Sequence, residues 1–225
     1  QSAREMLSGL IEEYKEWIQR NRTYIPQEDK RKQVAEDLLR RAEVAQKRIE
    51  AGLQRLDDPQ IFQAFTLMNK VMATAAKQRF SVEKNVTPEE ITPVWRPFQL
   101  AFVLMNIQGI ADPTHQERHI VDLLFFPTGG GKTEAYLGLA AFTLLLRRLR
   151  NPGIRSAGLS VLMRYTLRLL TLDQLGRATI LVCALELERR ANQDLLGEWP
   201  FEIGLWVGQS ATANRMGQKG DKDEY

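Results

Sequence analysis

One cysteine, two histidines and no long apolar run set the first limits on this 225-residue sequence. Cys183 has no second cysteine to pair with, and there is no cysteine cluster for zinc, so a disulfide-stapled secreted scaffold and a zinc ribbon are both excluded. A reducing cytoplasm is the simplest home. No stretch of about eighteen uncharged apolar residues occurs, and the N-terminus lacks the apolar core and small-residue cleavage site of a secretory signal, so no membrane insertion is expected. Charge of one sign is also scarce: 31 Lys and Arg stand against 28 Asp and Glu, and +3 is too small by itself to announce a nucleic-acid partner. Internal repeats and low-complexity tracts are missing. What is present is 44% apolar composition, ample for a buried core. Because the chain opens on Gln1 and closes in a polar stretch from Gly217 to Tyr225, it is expected to be a piece of a longer protein.

From Ser2 to about Phe80 the pattern is helical and heavily charged. Met6, Leu7, Leu10, Ile11, Tyr14, Trp17 and Ile18 recur at three- and four-residue spacing, one face of a helix. Leu38, Ala42, Ala45, Ile49 and Leu56 continue the spacing in a second helix, with Gly52 weakening one turn. Asn21 to Gln27, containing Pro26, is too short for anything but a reversal, so the two helices form an antiparallel hairpin. Gln60 to Arg79 gives a third helix. Such a region is either a docking arm or a packing support for the neighbouring domain, and charges of mixed sign mark a solvated outer face. Val82 to Pro93 is the expected linker, with a capped turn at Thr87-Pro-Glu-Glu90.

Beyond the linker, Ile120 to Phe126, Gly158 to Met163 and Phe201 to Val207 read as strands, alternating with helices at Lys132 to Arg150 and Leu167 to Arg190. That alternation predicts an α/β fold with a parallel sheet covered on both faces. The expected organisation is an all-helical N-terminal region over residues 1–90, followed by an incomplete nucleotide-binding lobe over 91–225.

Phe126-Pro-Thr-Gly-Gly-Gly-Lys-Thr133 follows an apolar run and opens a helix, the setting that gives a Walker A match its meaning. Gly129, Gly130 and Gly131 let the backbone turn its amides inward as a nest for anionic oxygens beside a helix N-terminus. Lys132 adds a point charge for the β- and γ-phosphates, and the Thr133 hydroxyl is placed to ligate Mg²⁺. Phe126 stands where the consensus carries Gly or Ala. This reading requires the loop to sit at the C-terminal edge of a parallel sheet, with Lys132 facing a cavity.

Pro127-Thr-Gly-Gly-Gly-Lys-Thr-Glu134 resembles the Pro-Thr-Gly-x-Gly-Lys-Thr loop of superfamily 2 helicases, and Arg96-Pro-Phe-Gln99 upstream is similar to their Arg-x-x-Gln element. The resemblance implies a RecA-like first motor lobe and an ATP site drawn from Arg96, Gln99, Thr128, Gly129, Gly130, Gly131, Lys132, Thr133 and Glu134. Lys132 and Thr133 would serve catalysis. A glutamine amide can pair with N7 and the N6 amine of adenine, and the distance of Gln99 ahead of the loop makes it the residue for that role; taken alone it is an ordinary polar residue of the helix that begins near Pro97. Met163 to Gln174 falls where these motors carry a backbone-binding motif, which assigns Arg164, Thr166, Arg168 and Gln174 to nucleic acid. Tyr165 and Leu167 depart from that motif.

Seven arginines between Arg147 and Arg177 are accompanied by a single acid, Asp173. Such a zone suits phosphate recognition. For Arg147, Arg148 and Arg150 the plainer account is the C-terminal dipole of their own helix; Arg164 and Arg168 are the DNA candidates.

These segments, with Gly204-Leu-Trp-Val-Gly-Gln-Ser-Ala-Thr212, narrow the resemblance to the helicase subunit of the bacterial DISARM anti-phage system, over roughly residues 94–217. The implied cofactors are ATP and Mg²⁺. The implied partners are DNA, single-stranded or with a single-stranded end, and a second DISARM subunit, DrmB. The Asp-Glu-x-His/Asp pair of such motors is missing; Asp223-Glu224 lacks the apolar strand that would bring a carboxylate to the loop. By itself the chain is therefore expected to bind ATP weakly and hydrolyse it negligibly. The alternatives are a phosphate-loop ATPase that switches a protein assembly without nucleic acid, and a scaffold whose ATPase has decayed.

Overall fold

The computed structural model describes residues 3–125, 129–164 and 168–206. Seven α-helices run through them: α1 (Ala3–Arg22), α2 (Asp29–Gln54), α3 (Pro59–Lys84), α4 (Pro97–Ala111), α5 (Lys132–Arg150), α6 (Arg168–Ala191) and the single turn α7 (Gln193–Leu196). The α1–α2 hairpin reverses over residues 23–28, as its Pro-containing polar stretch requires. Ile11 and Ile18 are buried on the inner face of α1. In α2 the inward stripe is Leu39, Ile49, Gly52 and Leu53, while Leu38 points outward at 60% exposure, one residue off the expected face.

Helix α3 is fixed at both ends by local chemistry. The Asp58 carboxylate accepts the backbone N–H groups of Gln60 and Ile61, and Pro59 occupies the first turn, where its missing N–H has no cost. At the other end Asn85 takes a left-handed conformation, φ 53°, which an asparagine tolerates better than other side-chain-bearing residues. The helix thus runs to Lys84, into the expected linker, and the capped turn comes next, with Thr87 N–H donating to Glu90 Oε1 at 2.9 Å.

Helix α4 lies against α2 and α5, and α3 packs on both α5 and α6. One apolar core runs from Ile11 through Ile61, Met68, Val103, Leu104, Phe142, Leu145 and Leu185 to Phe201. Each of the fully buried aliphatic or aromatic side chains contributes about 2 kcal/mol by leaving water. Two glycines allow the closest approaches. Gly52 of α2 lies against the Leu104 carbonyl of α4, and Gly138 of α5 lies under the Trp95 indole, whose Nε1–H donates to Asn69 Oδ1 at 2.7 Å.

The expected RecA-like parallel sheet is not there. No β-strand occurs among the described residues, which are all-helical apart from turns and extended segments. Of the segments read from sequence as strands, residues 120–125, 158–163 and 201–206 form no β-ladder; Phe126 and Val207 lie outside the described residues. Val121 is 94% exposed and Leu123 86% exposed, so this apolar run is no buried strand. Among the described residues the phosphate loop therefore has no sheet edge to stand at, so the placement that the sequence reading required is not met; a nucleotide site here would rest on the glycine loop and the helix N-terminus alone.

Side chains rather than neighbouring strands hold these segments. Arg48 of α2 makes a two-pronged pair with Asp122, at 2.6 and 2.8 Å, with Glu117 3.3 Å from its Nε. The Asp122 carboxylate beside Arg48 keeps that guanidinium above its ordinary range. Arg147 donates to the carbonyls of Ala157 and Leu159, at 2.5 and 2.9 Å. Arg148, only 5% exposed, donates to the Leu196, Trp199 and Pro200 carbonyls and stacks over the Phe201 ring at 4.2 Å. Burial, with Arg189 close by, pushes its pKa down. Arg150 bonds the Ala111 carbonyl at the end of α4. These three arginines thus fasten neighbouring chain segments, a more specific task than complementing a helix dipole.

Candidate phosphate-binding site

Gly129 and Gly131 have φ of 77° and 87°, the left-handed region where a side chain is strained, and Gly131 caps the N-terminus of α5. Lys132, Thr133 and Glu134 form the first turn, whose backbone N–H groups have no partner within the helix. Thr133 is 8% exposed, tucked into the helix base.

Helix α4 braces this loop from one side. Arg96 Nη1 donates to the Gly130 carbonyl and Gln99 Nε2 to the Gly131 carbonyl, both at 2.7 Å. Gln99, 4% exposed, is itself oriented by the Arg96 backbone N–H, which donates to its Oε1 at 2.8 Å. In a trans peptide the carbonyl and the next N–H point opposite ways. Drawing the Gly130 and Gly131 carbonyls toward α4 therefore turns the N–H groups of Gly131 and Lys132 away from it. The arrangement can receive an oxyanion: aligned backbone donors, the positive end of a 19-residue helix, and Lys132 on its first turn.

Glu134 contributes otherwise. Its Oε1 accepts from Arg177 Nη2 of α6 and, at 3.2 Å, from Arg79 Nη1 of α3. Neither arginine was among the candidates read from sequence. Arg79 sits at no recognisable motif; Arg177 lay in the basic block but without a role.

The structure thus brings Arg96, Gln99, Gly129, Gly130, Gly131, Lys132, Thr133 and Glu134 together, while Thr128 lies outside the described residues. Of the nucleic-acid candidates, Arg164 and Gln174 line a groove of about 1060 Å³ between α5, α6 and the extended segments at 156–164 and 199–206. Its wall is mainly apolar, with Leu137, Leu144, Val161, Met163, Val182 and Phe201, and none of residues 129–134 lines it. Thr166 is outside the described residues, and nothing is described of the Arg168 side chain at the start of α6. Among the described residues no group of three or more His, Cys, Asp or Glu could hold a metal, so a magnesium ion here would depend on the Thr133 hydroxyl and on phosphate oxygens. No described helix is long and apolar enough to cross a membrane.

A helical protein carrying an arginine- and glutamine-braced glycine loop at a helix N-terminus is the class that fold and site define. No family model and no solved structure matches the chain. Its sequence is 37% identical over 235 aligned positions to the DISARM protein DrmA of Bacillus paralicheniformis, across 97% of this chain and 20% of that relative. The resemblance read from the motifs is thereby shown: this is a DrmA-like sequence along nearly its whole length, N-terminal helices included, and it spans about a fifth of the relative's length.

Proposed function

We propose that the chain is the ATP-binding part of an ATP-driven DNA translocase or helicase of bacterial anti-phage defence. The observation that carries this reading is the left-handed pair Gly129 and Gly131 running into α5, with the Gly130 and Gly131 carbonyls held by Arg96 and Gln99. Lys132 would meet the β- and γ-phosphates, and Thr133 would ligate Mg²⁺ between them. Adenine pairing by Gln99 would require its buried amide to exchange the partners it now holds. Likeness to a DISARM protein supports the defence role and makes DrmB the protein partner we propose.

Titration with Mg²⁺-ATP tests the reading. The wild-type chain is expected to bind, and Lys132→Ala to weaken binding about thirtyfold, the loss of a charge-assisted contact to phosphate. Equal affinity in the two proteins would remove Lys132 from the site.

A second reading, an ATP-binding switch that works on a protein assembly without nucleic acid, draws on Arg147 and Arg148 being engaged with backbone carbonyls inside the fold. Single-stranded DNA separates the two. For a motor, affinity falls steeply with salt and falls further, by roughly tenfold, in Arg164→Ala with Arg168→Ala, as two phosphate contacts are removed. Indifference to DNA at low salt favours the switch.

A further inference from the structure

A carboxylate in the first turn of a helix is ordinarily welcome, since it complements the positive end of the dipole. Here the same turn is the one proposed to receive a triphosphate. Glu134 Oε2 lies 3.4 Å from where a β-carbon on Gly131 would sit, so its negative charge stands beside the last residue of the loop. Left uncompensated, it would repel an incoming anion and compete with it for the helix terminus.

Two guanidiniums compensate it, and they come from different parts of the molecule. Arg177 reaches from α6 and Arg79 from α3, and both bond Glu134 Oε1. Arg79 also meets Glu83 at 3.0 Å from its Nε, but that carboxylate is 53% exposed and the pair is solvated. Arg177 is only 19% exposed, and its buried Nε has no hydrogen-bond partner among the described residues. Burying an arginine on these terms is costly unless its charge is used locally.

We propose that Arg79 and Arg177 are electrostatic positioning residues for a nucleoside triphosphate: they neutralise and hold aside Glu134, so that the α5 terminus presents a net positive face to the β- and γ-phosphates. This rests on the phosphate-loop reading above and adds to it a role for the N-terminal helices, since Arg79 belongs to α3. The arginines act through Glu134 and need not touch the nucleotide.

The double variant distinguishes this role from a merely structural ion pair or from direct phosphate contact. Arg177→Gln is expected to weaken Mg²⁺-ATP binding by roughly fivefold to tenfold, more than it weakens ADP, and by less at high salt because added ions screen the freed Glu134 charge. Arg79→Gln acts in the same direction. Removing the offending charge as well, in Glu134→Gln with Arg177→Gln, is expected to restore affinity to within about twofold of wild type, since nothing is left to neutralise. Thermal unfolding of each protein is followed alongside. A double variant that stays as weak as Arg177→Gln, while folded, overturns the proposal, as does an Arg177→Gln protein that binds ATP like wild type. Should wild type itself take up no ATP, the phosphate-loop reading fails, and this inference with it.

Discussion

Gly52→Ala is expected to destabilise the chain by about 2 kcal/mol or more, net, against the usual direction of a glycine-to-alanine change within a helix. A methyl carbon there would stand 1.8 Å from the Leu104 carbonyl oxygen and 2.7 Å from its carbon, both backbone atoms of α4. No rotamer change can relieve such an overlap. The helices must separate, and the core beneath them, with Leu53, Leu104 and Ile107 buried, must open. Overpacking a tight contact costs about 1–3 kcal/mol and sometimes more, whereas alanine returns roughly 1 kcal/mol of helix propensity. Gly9, in α1 with nothing within 4 Å of its missing β-carbon, is the matched control: Gly9→Ala is expected to stabilise by about 0.5–1 kcal/mol. Denaturant unfolding of both variants decides it. Equal gains at the two positions would mean that α2 and α4 do not meet at Gly52.

The contrast between those glycines shows what could be read from the chain alone. In α2 the apolar spacing and the preceding reversal gave the helix, because 3.6-residue periodicity and capping are local properties. That Gly52 is a contact point, and not only a weak turn, depends on α4, some fifty residues away. The strand readings failed for a related reason. Residues 121–125 alternate between exposed and half-buried as a strand would, but alternation makes a face and not a ladder. Pairing is supplied by other chain segments, and among the described residues arginine side chains take the carbonyls of Ala157, Leu159, Trp199 and Pro200, while a carboxylate takes the N–H of Phe201. Phe201 N–H, for example, donates to Glu186 Oε1 at 2.5 Å. Burial tends to raise the Glu186 pKa, yet bonds from Arg189 and from that N–H bring it below the ordinary carboxylate value.

In the site, the legible part was the part with a local requirement. Positive φ selects glycine, and a glycine run before Lys-Thr and an amphipathic stretch has few other uses. Arg96 and Gln99 were legible by their spacing from the loop, although the structure assigns their bonds to loop carbonyls. Arg79 and Arg177 were not, because ion pairs spanning 55 and 43 residues leave no trace in spacing. Nor did the sequence disclose that the N-terminal helices reach the loop from both directions, with Arg48 of α2 holding the segment that leads in and Arg79 of α3 holding the turn that leads out.

Gly131→Ala is the substitution expected to damage nucleotide binding most, by about a hundredfold, with the helical fold intact. Two independent causes act at that position. Its φ of 87° is strained for any β-carbon, a cost of about 1–2 kcal/mol that favours a shift of the loop backbone. The new methyl would also stand 2.7 Å from Gln99 Nε2, displacing the amide that holds the Gly131 carbonyl. Once that carbonyl is free to rotate, the Lys132 N–H on the same peptide plane rotates with it, and the aligned donors of the helix terminus are lost together with the lysine's position. Gly129→Ala separates the two causes: φ there is 77° but nothing lies within 4 Å of the missing β-carbon, so only the backbone strain is incurred. Its loss of Mg²⁺-ATP affinity is expected to be about tenfold smaller than that of Gly131→Ala. Comparable losses in the two variants would show that Gln99 does not brace the loop, and that left-handed backbone alone sets the site.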